Sequence, residues 1–421
     1  MKKNIYITLF FVLGFSIFSS DLIAGGGSIY TRYGIGDLKF SLTARRLAFG
    51  EGGIALADFD YVNSFNPASF YQMRMTRIET GLDINGFAIS NNSTNVFYNQ
   101  VYFSGFKFGI PIDKDYGISL VMGMEPYSRV NYEITENDSS SLVDPYKVTY
   151  KGTGGLSKVY FGLSYKLPFD IAIGSSFEYY TGKIQHQSNA EFQSTSSFRN
   201  AYFNKDYIFT GVGFTFGLLT GNLSHLVGIN AITDLRFGFS YSNSVNIPTD
   251  TVSTSSTTIN SATALSYDDG YGQTHIPERL GIGASLKFKD SYLIILDYFY
   301  QPWSKYKFQN KTSNFYKDLN RFSIGLEYKK DPTKYNSFWE QVSVRGGLSY
   351  EQTQYTFYGA NINETSIYFG FSAPIGFENT IDFAFQFGKR GTTENNLLSE
   401  NIYRFSLTFN FGELWFIRLN R

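Results

Sequence analysis

The stretch NRFSIGLEY, residues 320–328, puts Phe322, Ile324, Leu326 and Tyr328 on one face of an extended chain. Arg321, Ser323, Gly325 and Glu327 fall on the other. A period of two is the signature of a strand with two different faces. RLGIGASLKF (279–288) repeats it, with Leu280, Ile282, Ala284, Leu286 and Phe288 opposed by Gly281, Gly283, Ser285 and Lys287. TIDFAFQFG (380–388) aligns Phe383, Phe385 and Phe387, and YRFSLTFNF (403–411) aligns Phe405, Phe409 and Phe411.

Soluble sandwiches alternate too, so other features must decide. The chain has 42 Phe, 33 Tyr and 40 Gly against 10 Pro and no Cys, with aromatics at 19% and charged residues at 17%. Mean hydropathy is −0.19, which excludes a bundle of apolar spanning helices. Strands are predicted near 73–90, 96–111, 116–133, 155–167, 170–190, 204–218, 224–246, 277–289, 291–310, 317–329, 338–358, 363–374, 378–390 and 400–411. Many exceed ten residues, the length of a tilted bilayer span. About fourteen is an even number, as in bacterial transmembrane barrels.

Loop parity agrees. Connections after strands two, four, six, eight and twelve are brief: PIDKDYG, LPFD, LLTGNLS, KD and PIGFE. The tenth, KDPTKYNSFW, is longer. Odd-numbered connections include the long ones, 134–154, 191–203, 247–276 and 391–399, the last but one a Ser/Thr-rich loop expected to be solvated. Short periplasmic turns and long outer loops are the outer-membrane asymmetry. The fold class is therefore all-β, a transmembrane antiparallel barrel.

Lys2 and Lys3, an apolar run from Ile5 to Phe18, and small residues up to Ala24 form a signal-peptide layout. This divides the chain into a signal peptide over 1–24, an N-terminal plug over 25–72 and the barrel over 73–421. Fourteen strands enclose more space than their own side chains fill. Residues 45–70 are too apolar for a free tail, so a plug inside the lumen is expected. Within it, Phe65, Asn66, Pro67, Ala68 and Phe70 form an aromatic-flanked turn just before the first strand, and proline has no place inside a ladder.

Several classes are excluded or disfavoured. Net charge is zero with no basic patch, so no nucleic-acid partner is implied. Without cysteine there is no disulfide, thiol nucleophile or thiolate metal site. No ligand spacing suggests a metal or cofactor. His186, His225 and His275 lie in different loops or strand ends, and G-x-S-x-G is absent. Only a rim dyad of His186 or His275 with a loop serine or aspartate stays open for catalysis, and the chain is read as no enzyme. Lys158, Arg321, Glu327, Asp382 and Arg404 are read as ordinary charges of a polar lumen.

The layout resembles the FadL/TodX/OmpP1 family of outer-membrane channels for hydrophobic compounds. Three stretches carry the resemblance: GEGGIALADFDYVNSFNPASF (50–70), IPERLGIGASLKF (276–288) and LDYFYQPWSKYKF (296–308), the last with Asp297, Trp303 and Ser304 in the family's Asp…Trp-Ser pattern. No basic lumen residue matches a carboxylate-binding position. The resemblance implies passive uptake of a hydrophobic small molecule such as a long-chain fatty acid or an aromatic hydrocarbon. The ligand would be caught between outer loops and released laterally through an inward kink of the third strand, with membrane lipids around a monomeric barrel. On that strand Met122, Gly123, Met124 and Pro126 are the candidate lateral gate, the methionines lining an adaptable apolar path; the competing reading places Pro126, like Pro302, at the outer rim where ladder bonds end. Trp303 is expected in an interfacial aromatic girdle. Some FadL-like barrels serve instead as partners of other envelope proteins in secretion or assembly, which is the alternative reading.

Overall fold

The computed structural model describes residues 26–40, 43–91, 94–138, 145–192, 199–257, 265–330, 337–376 and 379–415. The proposed signal peptide and the extreme C-terminus lie outside them. Fourteen antiparallel strands close into one ring. They are β1 (Thr76–Ser90), β2 (Asn95–Asp113), β3 (Ile118–Pro126 and Ser128–Asp138), β4 (Tyr146–Lys166), β5 (Ala172–Phe192), β6 (Ala201–Leu219) and β7 (Ile232–Ser242 and Val245–Ser256). The ring continues with β8 (Leu265–Ile276 and Arg279–Phe288), β9 (Tyr292–Gln301), β10 (Leu319–Tyr328), β11 (Ser343–Phe357), β12 (Ala360–Gly376), β13 (Asn379–Gly391) and β14 (Ser399–Glu413). Closure is made by β14 against β1, in register from Ser399↔Ser90 to Glu413↔Thr76.

The alternation read from NRFSIGLEY has a definite sense. On β10, Phe322, Ile324, Leu326 and Tyr328 are exposed, whereas Arg321, Ser323, Gly325 and Glu327 are buried. Phe322 is 53% exposed and Arg321 only 2%. Apolar outside and charged inside is the reverse of a soluble domain, and it is stable only where the outer face meets lipid.

Two of the long outer loops are largely strand. β3 and β4 run on through most of 134–154, and β7 and β8 through most of 247–276. The Ser/Thr-rich stretch pairs because β-branched threonines suit a pleated surface; Thr249 and Thr274 hydroxyls meet across the hairpin at 2.8 Å.

The chain ahead of β1 folds inside the ring. It contains a turn at Ile29–Arg32, a two-residue strand Asp37–Leu38, a helix Ala44–Ala48 capped by Thr43, and a 3-10 turn at Pro67–Gln72. Such an irregular backbone needs partners for its carbonyls. Inward-facing wall serines supply them: Ser240 donates to Phe65 O (2.6 Å), Ser285 to Ala55 O (3.0 Å) and Ser323 to Gly50 O (2.8 Å). The small inward residues of the alternating strands are thus the plug's docking surface.

Candidate functional site: plug, wall break and outer mouth

Asn66 is fully buried at the junction between plug and wall. Its Oδ1 accepts from Ala68 N (3.1 Å), capping the 3-10 turn, while Nδ2 donates to Ile54 O (2.9 Å) and to Leu218 O on β6 (3.1 Å). Pro67 occupies the first position of that turn, where no amide hydrogen is needed. The wall yields space with glycine: a Cβ on Gly174 would stand 2.3 Å from Pro67 C, and one on Gly217 2.1 Å from Asn66 Oδ1. Phe65 and Phe70 are buried on either side. Asn66→Leu is expected to lower unfolding stability by about 2–3 kcal/mol, because two buried carbonyls lose their donor. Urea unfolding in detergent micelles measures it.

Charges hold the plug to the wall. Glu51 receives Arg321 and Arg404 from β10 and β14, each at 2.7 Å. Arg45 of the plug helix reaches Glu327 at 3.3 Å and also pairs with Asp58. Arg77 meets Asp60 at 2.6 Å, and Arg390 meets Asp37 at 2.9 Å. Arg46 points inward, its guanidinium 3.9 Å from the Phe65 ring centroid and donating to Gly52 O at 3.0 Å. Burial lowers its pKa to about 10, leaving it charged at neutral pH.

Burial alone would raise the Glu51 carboxyl, but the Arg321 and Arg404 guanidinium groups outweigh it and hold its pKa below the usual range. A depressed carboxylate stabilises fully above its unfolded value, about 4.3, and loses that contribution as pH falls through the folded value. The thermal midpoint is therefore expected to fall below pH 4, and Glu51→Gln to flatten that acid limb.

The wall is interrupted at the third strand. β3 pairs with β2 only from Ile118↔Asp113 to Met124↔Phe106. Beyond Pro126 its second segment keeps β4, from Val130↔Gly154 to Asp138↔Tyr146, but leaves β2. Its free edge turns to the plug instead, with Arg129↔Asp37 and Ser128↔Leu38 in register. Lys39 N donates to Tyr127 O at 3.0 Å, and Asn131 N to Thr31 Oγ1 at 3.0 Å. Among the described residues, the outer part of β2 above Phe106 has no partner strand on this side. The bend is accommodated by Gly154 and Gly155 of β4, at φ +115° and +144°. A Cβ on Gly155 would lie 2.3 Å from Ser128 O.

This geometry revises the candidate gate. Met122, Gly123 and Met124 sit below the break, in a section paired on both sides. Met122 and Met124 are 41% and 48% exposed on the lipid-facing surface, so they line no inner path. Strand parity is the reason, since positions 122 and 124 share the outward face. Pro126 marks the break itself, and the residues at the opening are Tyr127 to Asn131 with plug residues 31–39.

The centre of the lumen is an aromatic cluster. Phe65 meets Phe299 edge-on at 5.2 Å, Phe40 lies 5.8 Å from Phe299, and Trp303 packs on Tyr306 at 4.8 Å. Trp303 is 1% exposed, so it belongs to this interior and not to a girdle. A proline turn after β9 carries it inward. Asp297 on β9 accepts from the plug amides of Gly53 and of Ile54 (3.1 Å for Ile54). Ser304 N donates to Asp318 Oδ1 at 3.1 Å, on the outer rim. The Asp297, Trp303 and Ser304 pattern thus joins plug, core and rim.

Above this cluster lies a mouth cavity of about 520 Å³, walled by plug residue Arg32 and by β3 to β8. The histidines are dispersed. His186 lines the cavity and bonds Tyr132 OH at 2.7 Å, His275 bonds Asn246 at 2.7 Å, and His225 lies in the short helix Ser224–Val227 between β6 and β7. Lys158, between Glu125 (3.0 Å) and Glu178 (2.8 Å), and Asp382, beside Arg345 (3.6 Å), belong to the wall's ion-pair ladders.

A closed fourteen-strand ring, the chain ahead of β1 packed against its inner wall and a third strand that leaves the wall together make up the architecture. The solved structures agree on the fold. The chain is similar to a Pseudomonas aeruginosa FadL homologue (11% identity, 87% of this chain and 98% of that one, TM-score 0.61) and to the CymD monoaromatic hydrocarbon channel (15%, 88% and 97%, 0.55). It is also similar to the Pseudomonas putida toluene transporter TodX (15%, 90% and 99%, 0.53). The chain belongs to the BamG family, whose model matches residues 1–420. No curated protein matches it.

Proposed function

We propose that this barrel admits hydrophobic or amphipathic small molecules, of the long-chain fatty acid or aromatic hydrocarbon kind, passively between its outer mouth and the bilayer. The observation that carries the reading is the break at β3, where plug residues replace a wall strand. Displacing Thr31 to Lys39 would open the lumen sideways, with Pro126 as the fixed end of the opening and the Phe65 to Phe70 segment holding the rest of the plug. Solved barrels described as hydrocarbon and toluene channels support the same reading. The division into a signal peptide (1–24), a plug (25–72) and a barrel (73–421) belongs to this proposal, as do export to the outer membrane, a monomeric barrel and the absence of catalysis. Deleting the gene should slow uptake of at least one hydrophobic substrate. Unchanged uptake across fatty acids, alkylbenzenes and terpenoids would sink it.

A second reading rests on a specific observation. The aromatic centre is packed between mouth and break, and the BamG family name points to an assembly role. On this reading the barrel is a partner subunit for other envelope proteins. Purification in mild detergent separates the two: a stable stoichiometric complex favours the partner role, and a lone barrel carrying lipid favours passage.

A further inference from the structure

The mouth cavity mixes aromatic rings with a dense set of polar groups. Its volume lies within the range of small-molecule sites, about 300–1,000 Å³. Tyr132, Tyr150, Phe203 and Tyr267 present aromatic rings, while amides of Gln187 and Asn204 and a row of serine and threonine hydroxyls complete the wall. A hydrocarbon would strip water from these groups and return nothing, which is unfavourable for each unpaired polar atom. The two cations differ. Lys205 pairs with Asp269 at 3.2 Å. Arg32 lies with its guanidinium 5.4 Å from the Tyr150 ring centroid. It is exposed, and it has no carboxylate partner among the described residues. Two other lysines on these strands are paired, Lys151 with Glu133 at 3.6 Å and Lys183 with Asp206 at 2.7 Å.

Aromatic faces beside amides and hydroxyls suit a ring that is apolar on its C–H face and hydroxylated at its edge. A guanidinium without a partner suits a carboxylate or phosphate, which it can bind in a two-pronged fashion. We propose that the outer-mouth cavity binds an anionic saccharide, with its sugar ring on Tyr150 and its acidic group on Arg32. The ligand is either a free acidic glycan or the head of a surface glycolipid. Binding there needs neither plug movement nor the wall break, so it goes beyond the proposed passage, although Arg32 belongs to the Thr31–Lys39 segment that the passage would displace.

Calorimetry on the full barrel in a polyoxyethylene detergent, which carries no sugar, tests this. The probes are a phosphorylated oligosaccharide released from outer-membrane glycolipid, the same oligosaccharide after phosphatase treatment, the intact glycolipid, and decanoate. The phosphorylated oligosaccharide is expected to bind at least tenfold more tightly than its dephosphorylated form. Arg32→Gln should abolish that ratio, and Tyr150→Ala should weaken both forms alike. Tighter binding of the intact glycolipid would assign the glycolipid source, and equal binding the free glycan. Lys114→Gln, on a distant turn, should change nothing. Absence of oligosaccharide binding overturns the proposal, as does displacement of the oligosaccharide by decanoate. Retention of the tenfold ratio in Arg32→Gln, checked for unchanged gel mobility before heating, also overturns it.

Discussion

Glu51→Ala is expected to release the plug's hold on two wall strands at once. Arg404 loses the Glu51 carboxylate, and Arg321 keeps Glu351 at 2.6 Å together with neutral partners at Gly50 O and Tyr368 OH. Breaking one side of a buried ion pair is unfavourable by roughly 3–5 kcal/mol, because the remaining charge stays out of water. The ring of strands does not depend on this residue, so the effect should appear in the plug first. Limited proteolysis should cut within residues 26–72 at least tenfold faster, while the unheated barrel keeps its gel mobility. Glu51→Asp should restore part of the protection. An unchanged cleavage rate in Glu51→Ala would show that the ion pairs do not hold the plug.

Gly155→Val should act on the wall instead. The added side chain would collide with Ser128 O at the bend, in a backbone conformation at φ +144° that valine rarely adopts. Strain of this kind is worth about 1–3 kcal/mol before the collision is counted. The bent half of β3 is expected to lose its register with β4, lowering the urea midpoint and exposing Tyr127 to quenchers. Gly228→Ala, at a helix end with open space around it and φ +68°, should cost only the left-handed backbone strain, about 1–2 kcal/mol, with no collision added. Equal effects at the two glycines would contradict a specific role for the bend.

The strands were legible because lipid outside and charge inside impose a period of two that survives any local irregularity. NRFSIGLEY, RLGIGASLKF and YRFSLTFNF all lie within strands of the ring. The plug junction was legible for a similar reason: a proline beside buried aromatics has few places to go, and Asn66 caps the turn that follows. The break at β3 was only half legible. Pro126 marked it, yet the partner that replaces β2 is a two-residue strand 90 positions earlier, which no local pattern announces. The adjacent pair Gly154-Gly155, inside an otherwise alternating strand, was the available signal, since paired glycines mark bulges and close approaches. The methionines misled because polarizable side chains suit both lipid and ligand, and only strand parity assigns the face. Trp303 misled for the opposite reason: the proline turn before it breaks the alternation that would have predicted its direction. The docking of Glu51 on Arg321 and Arg404 joins residues about 270 and 350 positions apart, beyond any pattern in the sequence.

The passage reading turns on whether the plug's strand must leave β3. The chain has no cysteine, so Leu38→Cys with Ser128→Cys places a single pair at directly opposed positions. Opposed Cβ atoms in an antiparallel pair stand about 4.5–5.5 Å apart, close enough for a disulfide after a small adjustment. Uptake of a hydrophobic substrate by cells carrying this variant is the direct measurement. The account predicts uptake lost in the oxidised protein and restored by reductant. Equal uptake in the two states, or no uptake in either while the cysteine-free parent shows none, would contradict it.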